Sequence, residues 1–153
     1  EISLCPMTRE LCHAFFRGFE NDPALCSNPG QCAPYQYSEE KADRYFDAQQ
    51  RPDRLNFAVM HRGEPIGEVK LKAIDREKGA CTLGICLKNG AVKGRGYGRR
   101  AEELAVGYAL HVLGLTVNAD TLTTNLRSRH VLEKVGFRFV REDGEFCYYR
   151  YEP

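Results

Sequence analysis

The sequence has no apolar run of the ~18 residues that a membrane-crossing helix needs, so no association with a membrane is expected. Its first ten residues, EISLCPMTRE, lack the charged and apolar regions of a secretory signal. It has no excess of one charge: 22 Lys and Arg face 21 Asp and Glu, for a formal net charge of +1. That balance argues against a nucleic-acid partner, which usually wants a basic domain or face. No two of the seven cysteines, Cys5, Cys12, Cys26, Cys32, Cys81, Cys86 and Cys147, have Cys-x-x-Cys spacing, and their number is odd. Free thiols in a reducing, cytoplasmic compartment are the expectation, with no metal. Cys26 and Cys32, which share one loop, are the pair closest to an exception. No repeat, low-complexity segment or linker divides the 153 residues, so residues 1–153 read as a single domain.

What is present is a regular alternation of patterns. ISLCPM reads as a strand. Thr8 then caps a helix carrying Leu11, Cys12, Phe15, Phe16 and Phe19 on one face. The Pro-, Gly- and Asn-rich stretch NDPALCSNPGQCAPY is a long loop. Ser38 caps a second helix, stopped by Pro52. LNFAVMH is a strand, RGEP a turn, and IGEVKLKAI a strand with Val69, Leu71 and Ala73 on one face and Glu68, Lys70 and Lys72 on the other. In ACTLGICLK, Cys81, Leu83, Ile85 and Leu87 share a face, and Gly84 suggests a bulge or a close backbone approach. A long helix over 98–113 follows, with Ala101, Leu104, Ala105, Tyr108, Ala109 and Val112 as its apolar stripe and Gly114 as its cap. TLTTN reads as a short strand and LRSRHVLEKV as a helix. A closing hairpin turns at Asp143-Gly144, a pair suited to a type I′ turn. The order β-α-α-β-β-β-α-β-α-β-β implies an α+β or mixed α/β fold: an antiparallel meander, then one parallel crossover.

The segment KGRGYGRR, residues 93–100, holds four cations and three glycines at the start of that long helix. A helix N-terminus has unpaired N–H groups and a partial positive charge, so cations there destabilise the empty protein. Glycines let a ligand approach the backbone. Together they describe a phosphate site, with Glu102 and Glu103 partly offsetting the charge. The P-loop pattern G-x-x-x-x-G-K-[ST] is absent. A dinucleotide fingerprint is only partly met by Gly96, Gly98 and Ala101, and it lacks its acid after the next strand.

A third template fits better. Lys93-Gly94-Arg95-Gly96-Tyr97-Gly98 resembles the pyrophosphate loop of the GNAT N-acetyltransferase superfamily, Arg/Gln-x-x-Gly-x-Gly/Ala, with Lys at the first position. NLRSRHVLEKVGF is similar to the family's later Asn-x-x-Ser/Ala…Lys-x-Gly-Phe block, with Asn125, Ser128, Lys134, Gly136 and Phe137 in register. That block looks most like the ribosomal-protein-alanine N-acetyltransferase subgroup. The element order agrees as well, so the resemblance spans nearly the whole chain. It implies a GNAT-like fold: a mostly antiparallel central sheet, a splayed parallel pair and about four flanking helices.

The resemblance also implies acetyl-CoA as cosubstrate and an amine-bearing acceptor, either a small molecule or a peptide N-terminus. The backbone of Lys93, Gly94, Arg95, Gly96, Tyr97, Gly98 and Arg99 would hold the pyrophosphate. Ile85, Cys86 and Leu87 would pair with the pantetheine arm, Asn125 would contact the cofactor, and Arg129 would help hold its nucleotide end. Many relatives use as general acid a Tyr seven residues after the Asn; here that position is Leu132. In the subgroup named above, the Ser three residues after the Asn is proposed instead, which is Ser128; a helix-capping hydroxyl is the plainer role for it. For the general base, Glu68 on the polar face of a central strand is the first candidate, against a solvated strand carboxylate; Glu145 and His111 are weaker ones. A covalent route through Cys86 and a non-catalytic acyl-CoA-binding module are the alternatives. Phe15, Phe19, Tyr35, Tyr37, Tyr148 and Tyr149 are candidate walls of the acceptor site, and the protein is expected to be a monomer or homodimer.

Overall fold

The computed structural model describes residues 1–22 and 33–152. Cys26 and Cys32, with the rest of residues 23–32 between the first two helices, lie outside the described residues. The strands are β1 (Ile2–Pro6), β2 (Leu55–His61), β3 (Glu64–Asp75), β4 (Ala80–Leu87), β5 (Thr116–Leu122), β6 (Phe137–Glu142) and β7 (Phe146–Tyr151). The α-helices are α1 (Arg9–Arg17), α2 (Glu39–Ala48), α3 (Tyr97–Tyr108) and α4 (Leu126–Val135). The seven strands form one sheet in the order β1-β2-β3-β4-β5-β7-β6. Only β4 and β5 pair in parallel; every other neighbouring pair is antiparallel. This is the mixed α/β, GNAT-like architecture expected from the element order.

Period-2 alternation places the two layers. Val69 and Leu71 of β3 and Cys81 and Leu83 of β4 are buried with Ala101, Ala105 and Val106 of α3. The opposite face packs against α1 and α2 around Cys12, Phe15, Phe16 and Ala42. Burying a Leu, Val or Phe side chain stabilises by about 1.5–3 kcal/mol each, so the layers are held mainly by these stripes. Helix starts follow their caps. The Thr8 and Ser38 hydroxyls accept from the N–H groups of Leu11 and Lys41 at 3.1 Å each.

The feature that matters most for function is where β4 and β5 part. Their pairing runs from Ala80–Thr116 to Leu83–Ala119 and stops, although β4 continues to Leu87 and β5 to Leu122. Beyond that point each strand is held from its outer side: β4 by β3 as far as Gly67–Leu87, and β5 by β7 as far as Leu122–Phe146. The strands diverge, leaving the inner edge of β4 from Gly84 onward without a strand partner. At Gly67 an added Cβ would lie 3.0 Å from Leu87 Cδ2 and 3.1 Å from Cys86 O, so a larger residue would crowd the back of this diverging end.

Several local expectations change. Ala73 does not continue the inward face of β3. A bulge between Lys72 and Asp75 puts it at φ 50°, exposed, and Ile74 packs on the core instead. Gly84 sits in regular register opposite Lys70, with no bulge. β5 begins at Thr116 rather than Thr121; Asn118 and Asp120 favour loops, but Val117, Ala119 and Thr121 alternate inward and decide the matter. In the last hairpin only Gly144 has positive φ, and the Asp143 carboxylate accepts from the N–H groups of Glu145 and Phe146, so the turn is not type I′. The helix over 98–113 ends in a π-helical turn, Ala109–Leu113, capped by left-handed Gly114. Its buried stripe is rotated towards Glu102 and Val106, while Val112 is 65% exposed.

Candidate active site

Two cavities flank the free end of β4. The first, about 270 Å³, lies on the α1–α2 side and is lined by Phe15, Phe16, Phe19, Tyr45, Glu68, Lys70 and Cys86 among others. The second, about 250 Å³, lies in the wedge between β4 and β5, with Leu83, Glu102, Thr121, Asn125, Ser128 and Leu132 in its walls. Lys72, Gly84 and Ile85 line both, so the two cavities meet at the point where the strands part.

Glu68, the one acid lining the first cavity among the described residues, is 2% exposed. It is far from the solvated strand carboxylate that a polar sheet face would suggest. The Tyr45 hydroxyl donates to its Oε1, Asn56 Nδ2 donates to Oε2 at 2.9 Å, and Lys70 Nζ stands 3.4 Å from Oε1. Burying a charge without such partners is prohibitive. Burial, with the Glu68 carboxylate beside it, pushes the Tyr45 phenol well above its usual range, so Tyr45 stays protonated and donates. Tyr45 and Asn56 are the members that sequence reading missed. In sequence, Tyr45 is one aromatic residue of α2 and Asn56 one polar residue of β2. Their shared target is apparent only once β2, β3 and α2 meet.

Cys86, opposite Glu68 in the β3–β4 register, opens to the same cavity. Desolvation of its sulfur and the nearby Glu68 carboxylate push the thiol up to about 11. At neutral pH it is a thiol rather than a thiolate, which disfavours covalent catalysis there.

The loop after β4 runs through a 3₁₀ turn at Gly90–Val92 into α3. Gly94 and Gly96 have φ 72° and 82°, the left-handed region that favours glycine. Gly96 is the N-cap of α3 and has no side chain to satisfy the first-turn N–H groups. Among the described residues, the N–H groups of Gly94, Arg95 and Gly96 find no internal acceptor. Lys93 Nζ bonds Asp22 Oδ2 at 3.0 Å and Arg95 Nε bonds the Ala91 carbonyl at 2.9 Å. Arg99 and Arg100 share Glu103 at 3.4 and 3.7 Å. Tyr97 turns away, its hydroxyl 3.2 Å from His61 Nε2. Glu103 thus offsets loop charge as expected. Glu102 does not, being 2% exposed and turned into the wedge.

Asn125 caps α4: its Oδ1 accepts from Ser128 N at 3.1 Å. The capping role considered for Ser128 therefore belongs to Asn125, and the Ser128 side chain lines the wedge with Asn125 and Leu132. Arg129 donates from Nε to the Tyr149 hydroxyl at 3.1 Å and from Nη1 to the Thr123 carbonyl at 3.0 Å, bracing the β5–α4 turn. Of the other base candidates, Glu145 lies in the exposed β6–β7 turn and His111 is exposed on the π-helical turn. Of the candidate acceptor walls, Phe15 and Phe19 line the first cavity, whereas Tyr35, Tyr37, Tyr148 and Tyr149 do not. Phe16 lines it as well.

Glu102 Oε1 is buried with no hydrogen-bond partner among the described residues, and desolvation alone raises the carboxyl to about 8 from its ordinary 4.5. The folded state thus holds this proton more tightly than the unfolded one. Its contribution is full below the unfolded value and is lost as pH rises from about 4.5 to about 8, at about 1.4 kcal/mol per pH unit. Denaturant titrations should show wild type losing a few kcal/mol relative to Glu102→Gln between pH 5 and pH 8.5.

The family model for the acetyltransferase (GNAT) domain matches residues 2–138. Sequence comparison with curated proteins finds no match. Among solved structures, a spermidine N-acetyltransferase SpeG chimera from Vibrio cholerae and hSSAT is similar with a TM-score of 0.75 at 16% identity, over 97% of this chain and 92% of that one. The Vibrio cholerae spermidine N-acetyltransferase in complex with CoA and spermine is similar with a TM-score of 0.75 at 18% identity, over the same shares of the two chains. The dodecameric form of that enzyme in an intermediate state gives 0.69 at 18%, over 97% and 91%. At such identities these likenesses speak for the fold. The match of the family model over most of the sequence identifies more than the fold: this chain belongs to the GNAT acetyltransferase family.

Proposed function

We propose that this protein is an acetyl-CoA-dependent N-acetyltransferase that moves an acetyl group to a primary amine by direct attack in a ternary complex. One observation carries the reading. The opened edge of β4 leads into a loop of left-handed glycines with unpaired N–H groups, and a buried, oriented carboxylate stands on the other side of the same strand end. The residues fit the cosubstrate. The N–H groups of Gly94 to Gly96 and the first turn of α3 suit a pyrophosphate. The free edge from Gly84 to Leu87 suits an amide-bearing arm that adds like a strand. Asn125 stands in the wall of that wedge. Arg129 is assigned to bracing rather than to the nucleotide end, because both of its bonds are internal.

In the reaction, the amine nitrogen attacks the thioester carbon while the carbon–sulfur bond breaks. An ammonium has no lone pair, so a base must take its proton. Glu68 takes that role, with Tyr45 and Asn56 fixing its orientation. The departing thiolate gains a proton, and Ser128, at the wedge where Leu132 replaces a tyrosine, supplies it or positions a water that does. Ser128→Ala should lower kcat by about tenfold to a hundredfold with acetyl-CoA affinity unchanged. Unchanged steady-state turnover in that variant would remove Ser128 from the mechanism.

The cavity's charge narrows the acceptor. Glu68 is the one acid lining it among the described residues, against Lys70 and Lys72. Residues 23–32, PALCSNPGQC, add no Asp, Glu, Lys or Arg. A polyamine would bring further ammonium groups towards two lysines. An amine on an apolar or aromatic body with an anionic group nearby would match Phe15, Phe16 and Phe19 as well as both lysines. The Asn125–Phe137 block supports a peptide N-terminus instead. A panel of spermidine, aromatic amino acids and Ala- or Ser-starting peptides, followed by release of free CoA, separates these acceptors. Spermidine is expected to be at least ~10-fold poorer in kcat/KM than the best anionic amine, since like charges brought together in a site cost several kcal/mol. A non-catalytic CoA-binding module is the alternative, favoured by Leu132; it predicts binding with no turnover on any amine. Sizing in solution tests the expected monomer or homodimer against a larger assembly.

A further inference from the structure

We infer that Glu102 is a cofactor-contacting residue: its carboxyl hydrogen-bonds the amide-bearing pantetheine arm of coenzyme A in the wedge between β4 and β5. This rests on the coenzyme A reading and adds a side chain to a binding mode otherwise made by backbone.

The argument begins with the cost of the residue. Glu102 lies in the second turn of α3, three and four residues before buried Ala105 and Val106, on the inward face of the helix. An alanine or leucine would fill that place without penalty. A carboxyl there is 2% exposed, and its Oε1 has no partner. A buried polar group without a partner is destabilising, so its place is explained if a partner comes from outside the chain. It does not complement the exposed loop arginines, which already share Glu103.

The surroundings say what the partner is. Leu83, Ile85, Ala119 and Leu132 give the wedge apolar walls, and Thr121, Asn125 and Ser128 give it polar groups. A slender chain carrying amide N–H and C=O groups between methylenes matches both. Held protonated by its burial, the carboxyl offers both a donor and an acceptor to an amide. Lys72 and Asp120 are the other charged groups lining the wedge, one from β3 and one from β5.

The test separates the two halves of the cofactor. Wild type, Glu102→Gln and Glu102→Leu are titrated calorimetrically with coenzyme A and with adenosine 3′,5′-diphosphate, which lacks the pantetheine arm. Without ligand, Glu102→Leu should melt higher than wild type. With coenzyme A it should bind about tenfold more weakly, the effect of one lost hydrogen bond to a group left buried. Affinity for the diphosphate should be unchanged, and Glu102→Gln, which keeps a donor and an acceptor, should stay within about threefold of wild type. Equal coenzyme A affinity in wild type and Glu102→Leu overturns the inference alone, as does an equal loss for both ligands. If wild type binds neither ligand, the coenzyme A reading itself falls.

Discussion

Glu68→Gln is expected to lower kcat by about 10²- to 10⁴-fold, the range for loss of a positioned general base, while acetyl-CoA still stabilises the protein as it does wild type. The change is isosteric, so Tyr45 and Phe16 keep their packing around the site. An amide cannot take the ammonium proton. Its NH₂ group also faces either Tyr45 or Asn56, each now a donor to Glu68. Tyr45→Phe keeps the carboxylate and removes one donor, so a smaller loss, about tenfold, is expected. If Glu68→Gln turns over at the wild-type rate, proton removal belongs elsewhere and the first cavity loses its chemical role.

Gly96→Asp should abolish the thermal stabilisation that acetyl-CoA gives. At a concentration about 100-fold above the dissociation constant, wild type gains ~2.7 kcal/mol, or roughly 5–10 °C. Gly96 caps α3 at φ 82°, where nothing lies within 4 Å of an added Cβ. The site therefore has room for a side chain, and the folding cost is the left-handed strain, about 1–2 kcal/mol, lower for Asn and Asp than for other residues. The functional cost is a carboxylate set against the pyrophosphate at its closest backbone donors. Gly96→Asn carries the same strain without the charge and should keep part of the shift. A full shift in Gly96→Asp would place the phosphates away from this loop.

The features legible in the sequence are those written in local pattern. The glycines and cations of KGRGYGRR mark an unusual helix start, and Gly94 and Gly96 do adopt the left-handed conformation that glycine permits. The seven strands and four helices follow from period and caps. What escaped depends on contacts between distant segments. Glu68 could be seen as a candidate, but its burial depends on Tyr45, which is 23 residues away in sequence, and Asn56, which is 12 away. Glu102 was misread for a different reason. As an acid near the helix start beside four cations it fits dipole logic, and an apolar stripe through Ala101, Leu104 and Tyr108 leaves it out. Helical arithmetic held the correction: Glu102, Ala105, Val106 and Ala109 share one face at i, i+3, i+4 and i+7, and three of them are apolar. The first half of β5 is hidden because Asn118 and Asp120 disfavour a strand locally; its inward Val117 and Ala119 are fixed by pairing with β4 and β7, which no local window contains.

The measurement that bears most directly on the central claim is single-turnover mixing of the protein with radiolabelled acetyl-CoA and a primary-amine panel, following label and free CoA together. Direct transfer in a ternary complex predicts N-acetylated amine and free CoA rising one for one, dependent on the amine, with no labelled protein at any time. Labelled protein formed before amine is added would contradict direct attack, and acetyl-CoA bound without product on any amine would contradict the assignment of an acetyltransferase.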